Sequence, residues 1–144
     1  MQRSREPIAG ILHTHSERKD IAMQFGLHLG TRGAASTRSG LAALSRHAES
    51  IGFSYVGLSD HIVIAAQVET EYPYTEDGRW FAQDSGFCLD QLAVLAFLAG
   101  VTETIRLLTS VMVLPYREPL LTAKMLATAD VLSEGRVTAG VGAG

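Results

Sequence analysis

IRLLTSVMVLPYREPLLTAKMLATADVLSEGRVTAGVGAG, residues 105 to 144, holds a strand, a helix and a second strand in one line of sequence. Ile105 to Leu114 is a long apolar, partly β-branched run that Pro115 ends, which reads as a buried strand. Pro119 suits the first turn of a helix, and Leu120, Lys124, Leu126 and Ala127 lie among good helix formers that carry it to about Leu132. Gly135 makes the turn, and Val137 to Val141 is the next strand. Strands joined through a helix run parallel, with a right-handed crossover and both sheet faces covered.

The same alternation extends back to Met23. Gln24 to Leu29 reads as a buried strand and Gly30 to Gly40 as a Gly/Thr/Ser-rich loop. A helix follows, with Leu41, Leu44, Ala48 and Ile51 on one face, Thr37 or Ser39 as its cap, and Gly52 as the left-handed residue after its end. Tyr55 to Ser59 is a short strand running into Asp60 and His61, and Leu89 to Val101 is a helix apolar on most of its circumference. Between them, Ile62 to Phe87 has no sustained period and reads as a long loop. It holds Tyr72, Tyr74, Trp80, Phe81 and Phe87, too much aromatic surface to leave in water together, so it is expected to pack as a lid or over a satellite core.

The order β-α-β-loop-α-β-α-β makes the fold class α/β. Four such units in about 120 residues are half of a (β/α)8 barrel of roughly 250, while a doubly wound sheet would need one or two more strands; periodicity leaves both open. The chain stops at Gly144 with no helix to cover the fourth strand, so a fragment, truncated after strand 4, is expected. Residues 1 to 22 are charged around one apolar patch and read as a flexible extension ahead of the 23–144 unit.

With 144 residues, 47% hydrophobic and 19% charged, and a net charge of −3, the composition is that of one soluble globular domain. The longest apolar run, Leu92 to Val101, is half a bilayer crossing and nothing reads as a signal peptide, so a cytoplasmic protein is expected. One cysteine, Cys88, allows no internal disulfide and no multi-cysteine metal site. Twelve Lys and Arg against fifteen Asp and Glu give no basic field for nucleic acid. The expected partners are a small-molecule substrate and further copies of the chain, because a half barrel leaves two sheet edges unpaired.

In parallel α/β folds, chemistry gathers at the carboxyl ends of the strands, here His28 to Thr31, Ser59 to His61, Thr109 to Val113, and Gly140 to Gly144. Asp60-His61 pairs a carboxylate with an imidazole able to move a proton or anchor an anion, or equally serves as a cap. His28 reads as a packed residue of the barrel mouth. Gly140, Gly142 and Gly144 let backbone approach a flat ring or phosphate, or relieve crowding at the rim. His13-x-His15 has the spacing of two metal ligands, but the rest of a ligand set is missing, and no metal site is assigned.

The ordered set Ser59-Asp60-His61-Ile62-Val63-Ile64, Tyr72-Pro73-Tyr74-Thr75-Glu76-Asp77-Gly78, Thr109 to Arg117, Lys124 to Thr128, Asp130 to Ser133, and Gly135-Arg136 leading into Gly140 to Gly144 resembles the bacterial luciferase-like monooxygenase superfamily over Met23 to Gly144. It is most similar to the F420-dependent oxidoreductase branch. The resemblance implies the N-terminal half of a luciferase-like (β/α)8 barrel binding a deazaflavin, coenzyme F420, or in sister families FMN, and moving a hydride at the ring. It implies that His61 faces ring and substrate as proton donor or anchor. Ser110 and Val111 are implied to form a non-proline cis peptide bulge backing the ring, and Gly142 and Gly144 to let the cofactor approach. Leu108 and Ala65 depart from the glycine and proline that similar sequences carry there. The competing expectations are an FMN-dependent monooxygenase of the same fold and a non-catalytic, self-associating fragment.

Overall fold

A computed structural model describes residues 23–65, 69–80 and 87–143. Its elements are β1 (Gly26–Leu29), α1 (Arg38–Ser50), β2 (Tyr55–Leu58), α2 (Gln91–Ala99), β3 (Arg106–Val113), a 3-10 turn (Leu114–Tyr116), α3 (Pro119–Leu132) and β4 (Val137–Gly142). The strands form one parallel sheet in the order β1-β2-β3-β4. The α/β expectation holds element by element; the strands β1 and β2 and the helix α2 are shorter than expected, and Phe25, counted in the first strand, is exposed ahead of it.

Register fixes which side chains share a face. Leu27, Val56, Leu107 and Val137 lie side by side, as do Leu29, Leu58, Thr109 and Ala139. Val56, Leu58 and Leu107 are fully buried against Leu92, Leu95 and Leu98 of α2, flanked by Leu41 and Ala48 of α1 and Ala129 of α3. Each such side chain contributes about 1.5–3 kcal/mol by leaving water. The opposite, inner face carries His28, Gly57, Leu108 and Thr138 in one row. His28 is exposed there instead of packed.

Helix ends follow the sequence. Thr37 Oγ1 accepts from Gly40 N at 3.1 Å, Asp90 Oδ1 from Ala93 N at 2.8 Å, and the Glu118 carboxylate from Leu120 N and Leu121 N ahead of Pro119. Gly135 has φ +82°, a conformation that costs glycine little, and closes the turn into β4.

The amino-terminal end of the sheet is sealed by two charged side chains. The Glu49 carboxylate accepts from the backbone N–H groups of Glu103, Thr104 and Ile105 and from Thr104 Oγ1. Burial alone would raise its pKa, but these donors hold it below the usual carboxylate value. The Arg136 guanidinium donates to the carbonyls of Ala99, Thr102, Ile105 and Ser133 and to Thr102 Oγ1, at 2.7–3.0 Å, and so satisfies the open end of α2.

Candidate active site

The strand ends at the opposite rim carry the polar groups. β2 ends at Leu58, whose carbonyl accepts from the buried Gln91 Nε2 at 2.7 Å, tying the strand to the first turn of α2. Ser59 Oγ lies 3.3 Å from Thr31 Oγ1, and Leu89 N donates to Thr31 O at 2.7 Å, so the loop after β1, the end of β2 and the approach to α2 are joined.

Asp60 is held by a residue that sequence reading quoted without assigning it a role. Arg117, just after the 3-10 turn, donates Nη2 to Asp60 Oδ1 at 2.6 Å and Nε to Oδ2 at 3.4 Å, while its Nη1 reaches Asp90 Oδ2 at 3.1 Å. Val113 N donates to Asp60 Oδ2 at 2.9 Å. The Asp60 and Arg117 side chains are 0% and 9% exposed. Burial alone would lower the Arg117 pKa, but the two carboxylates raise it. The Asp60 carboxylate therefore joins the ends of β2 and β3; it is committed to Arg117.

His61 is left to the mouth. Its ring centroid lies 4.9 Å from that of Trp80, tilted by 46°, and the Arg32 guanidinium carbon sits 4.5 Å over the Trp80 ring. Cys88 Sγ donates to the His61 carbonyl at 3.1 Å. Burial first, and the Arg32 cation second, hold the imidazole pKa below 6.5 against the opposing pull of Asp60. The shift favours the neutral ring, in which one nitrogen donates and the other accepts.

Two cavities meet at His61. One of about 430 Å³ is lined by Arg32, His61, Thr70, Glu71, Tyr72, Pro73 and Trp80, and one of about 400 Å³ by Asp60, His61, Ile62, Val63 and Tyr116. Part of the expected lid is thus over the mouth: Tyr72 and Trp80 pack together at 6.4 Å. Tyr72 and Trp80 are half-buried there, while Tyr74 is 83% and Phe87 47% exposed; Phe81 lies outside the described residues.

The Ser110-Val111 peptide is cis. Strand alternation slips here: Thr109 and Met112, three apart, both face the helices, and the pairing with β4 shifts between them. A Cβ added at Gly142 would meet Val111 Cγ2 at 3.3 Å, and one at Gly57 would lie 3.5 Å from both Ser110 Cβ and His28 Cδ2. Gly57, Ser110, Val111 and Gly142 thus make a wall kept low by missing side chains. Such a wall could back a flat ring, with the half-exposed Val111 as its apolar contact. Val111 and Gly142 are brought together, and Ser110 adjoins Gly57 and His28. His61 looks onto the lid cavities; Gly144, and the His13-x-His15 pair with all of residues 1–22, lie outside the described residues. Among the described residues, no cluster of three or more His, Cys, Asp or Glu could hold a metal, and no helix is long and apolar enough to cross a membrane.

A four-stranded parallel sheet with helices between its strands, a slipped third strand and a histidine at the end of the second is half of a parallel α/β barrel, and the comparisons agree with that class. Residues 23–144 match the luciferase-like monooxygenase family, and the chain belongs to it. It is 36% identical over 122 residues to an uncharacterized protein of Mycobacterium tuberculosis (strain ATCC 25618 / H37Rv) and equally to one of Mycobacterium bovis; the match takes in 85% of this chain and 42% of theirs. Among solved structures, it is similar to the coenzyme F420 dependent tetrahydromethanopterin reductase of Methanopyrus kandleri, with TM-score 0.60, 26% identity, and coverage of 84% of this chain and 27% of that one. The oxygenating constituent of 3,6-diketocamphane monooxygenase from Pseudomonas putida, solved with FMN, shares the fold at TM-score 0.61 and 23% identity, with coverage of 86% and 30%. The chain spans under half the length of these relatives.

Proposed function

We propose that the protein carrying this sequence is an F420-dependent oxidoreductase that transfers a hydride to or from a small organic substrate. Ser110, Val111 and Gly142, with Gly144 by its place in the sequence, back the ring, and His61 serves the substrate. The observation that carries the reading is the low wall formed by Gly57, Ser110, Val111 and Gly142 at the same strand ends from which His61 faces the lid cavities. The 26% identity to an F420-dependent reductase supports the choice of cofactor.

When bound, a deazaflavin supplies a carbon that carries a hydride. The chain's own work is different. The Ser110-Val111 face and Gly142 position the ring by contact, and Tyr72 and Trp80 keep water from the lid side of His61. His61 hydrogen-bonds the substrate and gives or takes the proton that accompanies hydride movement, through whichever ring nitrogen faces it. Arg117 and Asp60 hold the backbone on which His61 sits.

The second reading, an FMN-dependent monooxygenase, draws on the FMN-bound structure that shares the fold. One experiment separates the two: titrate the chain with F420 and with FMN, following cofactor fluorescence, and repeat with Gly142→Val. Micromolar F420 binding weakened by the substitution is expected. FMN binding without F420 binding moves the assignment to the second reading, and binding of neither refutes both for this chain. Size-exclusion chromatography in the same experiment tests the accompanying proposal that copies associate through the β1 and β4 edges of the described sheet.

A further inference from the structure

We propose that the cavity walled by His61, Tyr72 and Trp80 takes the planar, conjugated part of an uncharged organic substrate, hydrogen-bonded at its rim to the His61 imidazole. The proposal deepens the reading of this mouth as the substrate side and rests on it.

Shape comes first. Much of the wall is made of flat groups, the Tyr72 and Trp80 rings and the His61 imidazole, with the Arg32 guanidinium carbon 4.5 Å over the Trp80 ring. Trp80 meets His61 at 46° and Tyr72 at 43°, so these pairs are tilted and do not stack flat on one another. Tilted rings leave face area open, and the partner that fills such area best is another π face in offset or edge contact. A saturated, puckered skeleton meets the same walls at fewer atoms. The volume, about 430 Å³, is within the range of small-molecule sites and accommodates a two-ring molecule.

Charge comes second. Arg32 and Glu71 both line the cavity, and their opposite signs give it no net preference for a cation or an anion. The remaining polar groups of the lining are the Thr70 and Tyr72 hydroxyls and the His61 imidazole, none of them charged when the ring is neutral. A neutral imidazole both donates and accepts, which matches a carbonyl, hydroxyl or ring nitrogen on the edge of a conjugated system.

The chain has one tryptophan, so its single indole N–H signal reports on this wall alone. The test is a titration of the full chain, without cofactor, with 2-naphthol and with its saturated counterpart decahydro-2-naphthol, followed by the Trp80 indole resonance and by calorimetry. The expected result is saturable binding of 2-naphthol at least roughly tenfold tighter than the saturated alcohol. Tyr72→Leu, which keeps the indole probe, is expected to weaken it by about the same factor, and Trp80→Leu, read by calorimetry, likewise. Both positions lie in a loop, and unchanged far-ultraviolet circular dichroism establishes that the variants are folded. Equal affinity for the two alcohols, binding of neither, or 2-naphthol affinity untouched by both substitutions overturns the proposal. Because no cofactor is present, these outcomes stand apart from success or failure of the F420 titration.

Discussion

Replacing Arg117 with alanine strips the guanidinium from a carboxylate that has no exposure of its own, since the Asp60 side chain is 0% exposed and the Arg117 side chain 9%. Two charge-assisted bonds of good length go, 2.6 Å to Asp60 and 3.1 Å to Asp90, with a third, weaker one at 3.4 Å. At about 1.5–3 kcal/mol each, the two good bonds bound the loss at about 3–6 kcal/mol. The Asp90 side chain is 42% exposed and water replaces part of its bond, which draws the figure toward the lower end. Asp60 keeps only the Val113 N–H among its described donors, and an uncompensated buried charge of this kind costs about 3–5 kcal/mol. We expect Arg117→Ala to lose about 3–4 kcal/mol in urea denaturation followed by far-ultraviolet circular dichroism. Asp60→Asn combined with Arg117→Met removes both charges together, and is expected to recover more than half of that loss. A cost below about 1 kcal/mol for Arg117→Ala, or no recovery in the double variant, would refute the claim that the pair joins the ends of β2 and β3.

Two further predictions follow from other residues. Burial and Arg32 make His61 harder to protonate in the fold than in the unfolded chain, so its effect is absent above about pH 6.5 and destabilising as pH falls from there toward the lowered folded value. Thermal melts across that window should lose Tm with acid, and the portion of the loss that His61→Gln abolishes measures the effect; identical slopes in both proteins would contradict it. A side chain at Gly140 would collide with the Thr109 backbone carbonyl, which cannot swing aside, so Gly140→Ala should cost about 1–3 kcal/mol in denaturant midpoint, and no change would show that β4 shifts freely.

Much of the scaffold was legible because its signals are local. Thr37 caps α1 from three residues away, Pro119 starts α3, and Gly135 turns into β4, each through chemistry confined to one turn. Runs of β-branched residues located β3, and the motifs around Asp60-His61 and Thr109 to Arg117 carried a family resemblance that the match over residues 23–144 bears out. Site assembly was harder to read. Arg117 and Asp60 are 57 positions apart, and neither spacing nor periodicity announces a pair at that distance. Asp60-His61 looked like an acid–base couple because the residues are adjacent, yet successive residues at a strand end point to different sides, and the carboxylate went to Arg117. The packing of Trp80 on His61 and Arg32 was equally invisible, since a loop without period gives no face to follow. The long helix expected over Leu89 to Val101 lost its ends because Asp90 caps the start and Gly100 follows the last turn.

Glu49 and Arg136 give the protein a modular character. Between them they satisfy the backbone groups before β3 and beyond α2 with partners wholly on the amino-terminal side of the sheet. None of those bonds involves the described residues between β2 and α2. The described loop residues 69–80 meet the frame through the contacts of Trp80 with His61 and Arg32, so replacing them is expected to reshape the cavity while the Glu49 and Arg136 bonds stay whole. Changing what enters the cavity beside His61 becomes a matter of altering this loop, with no redesign of the sheet.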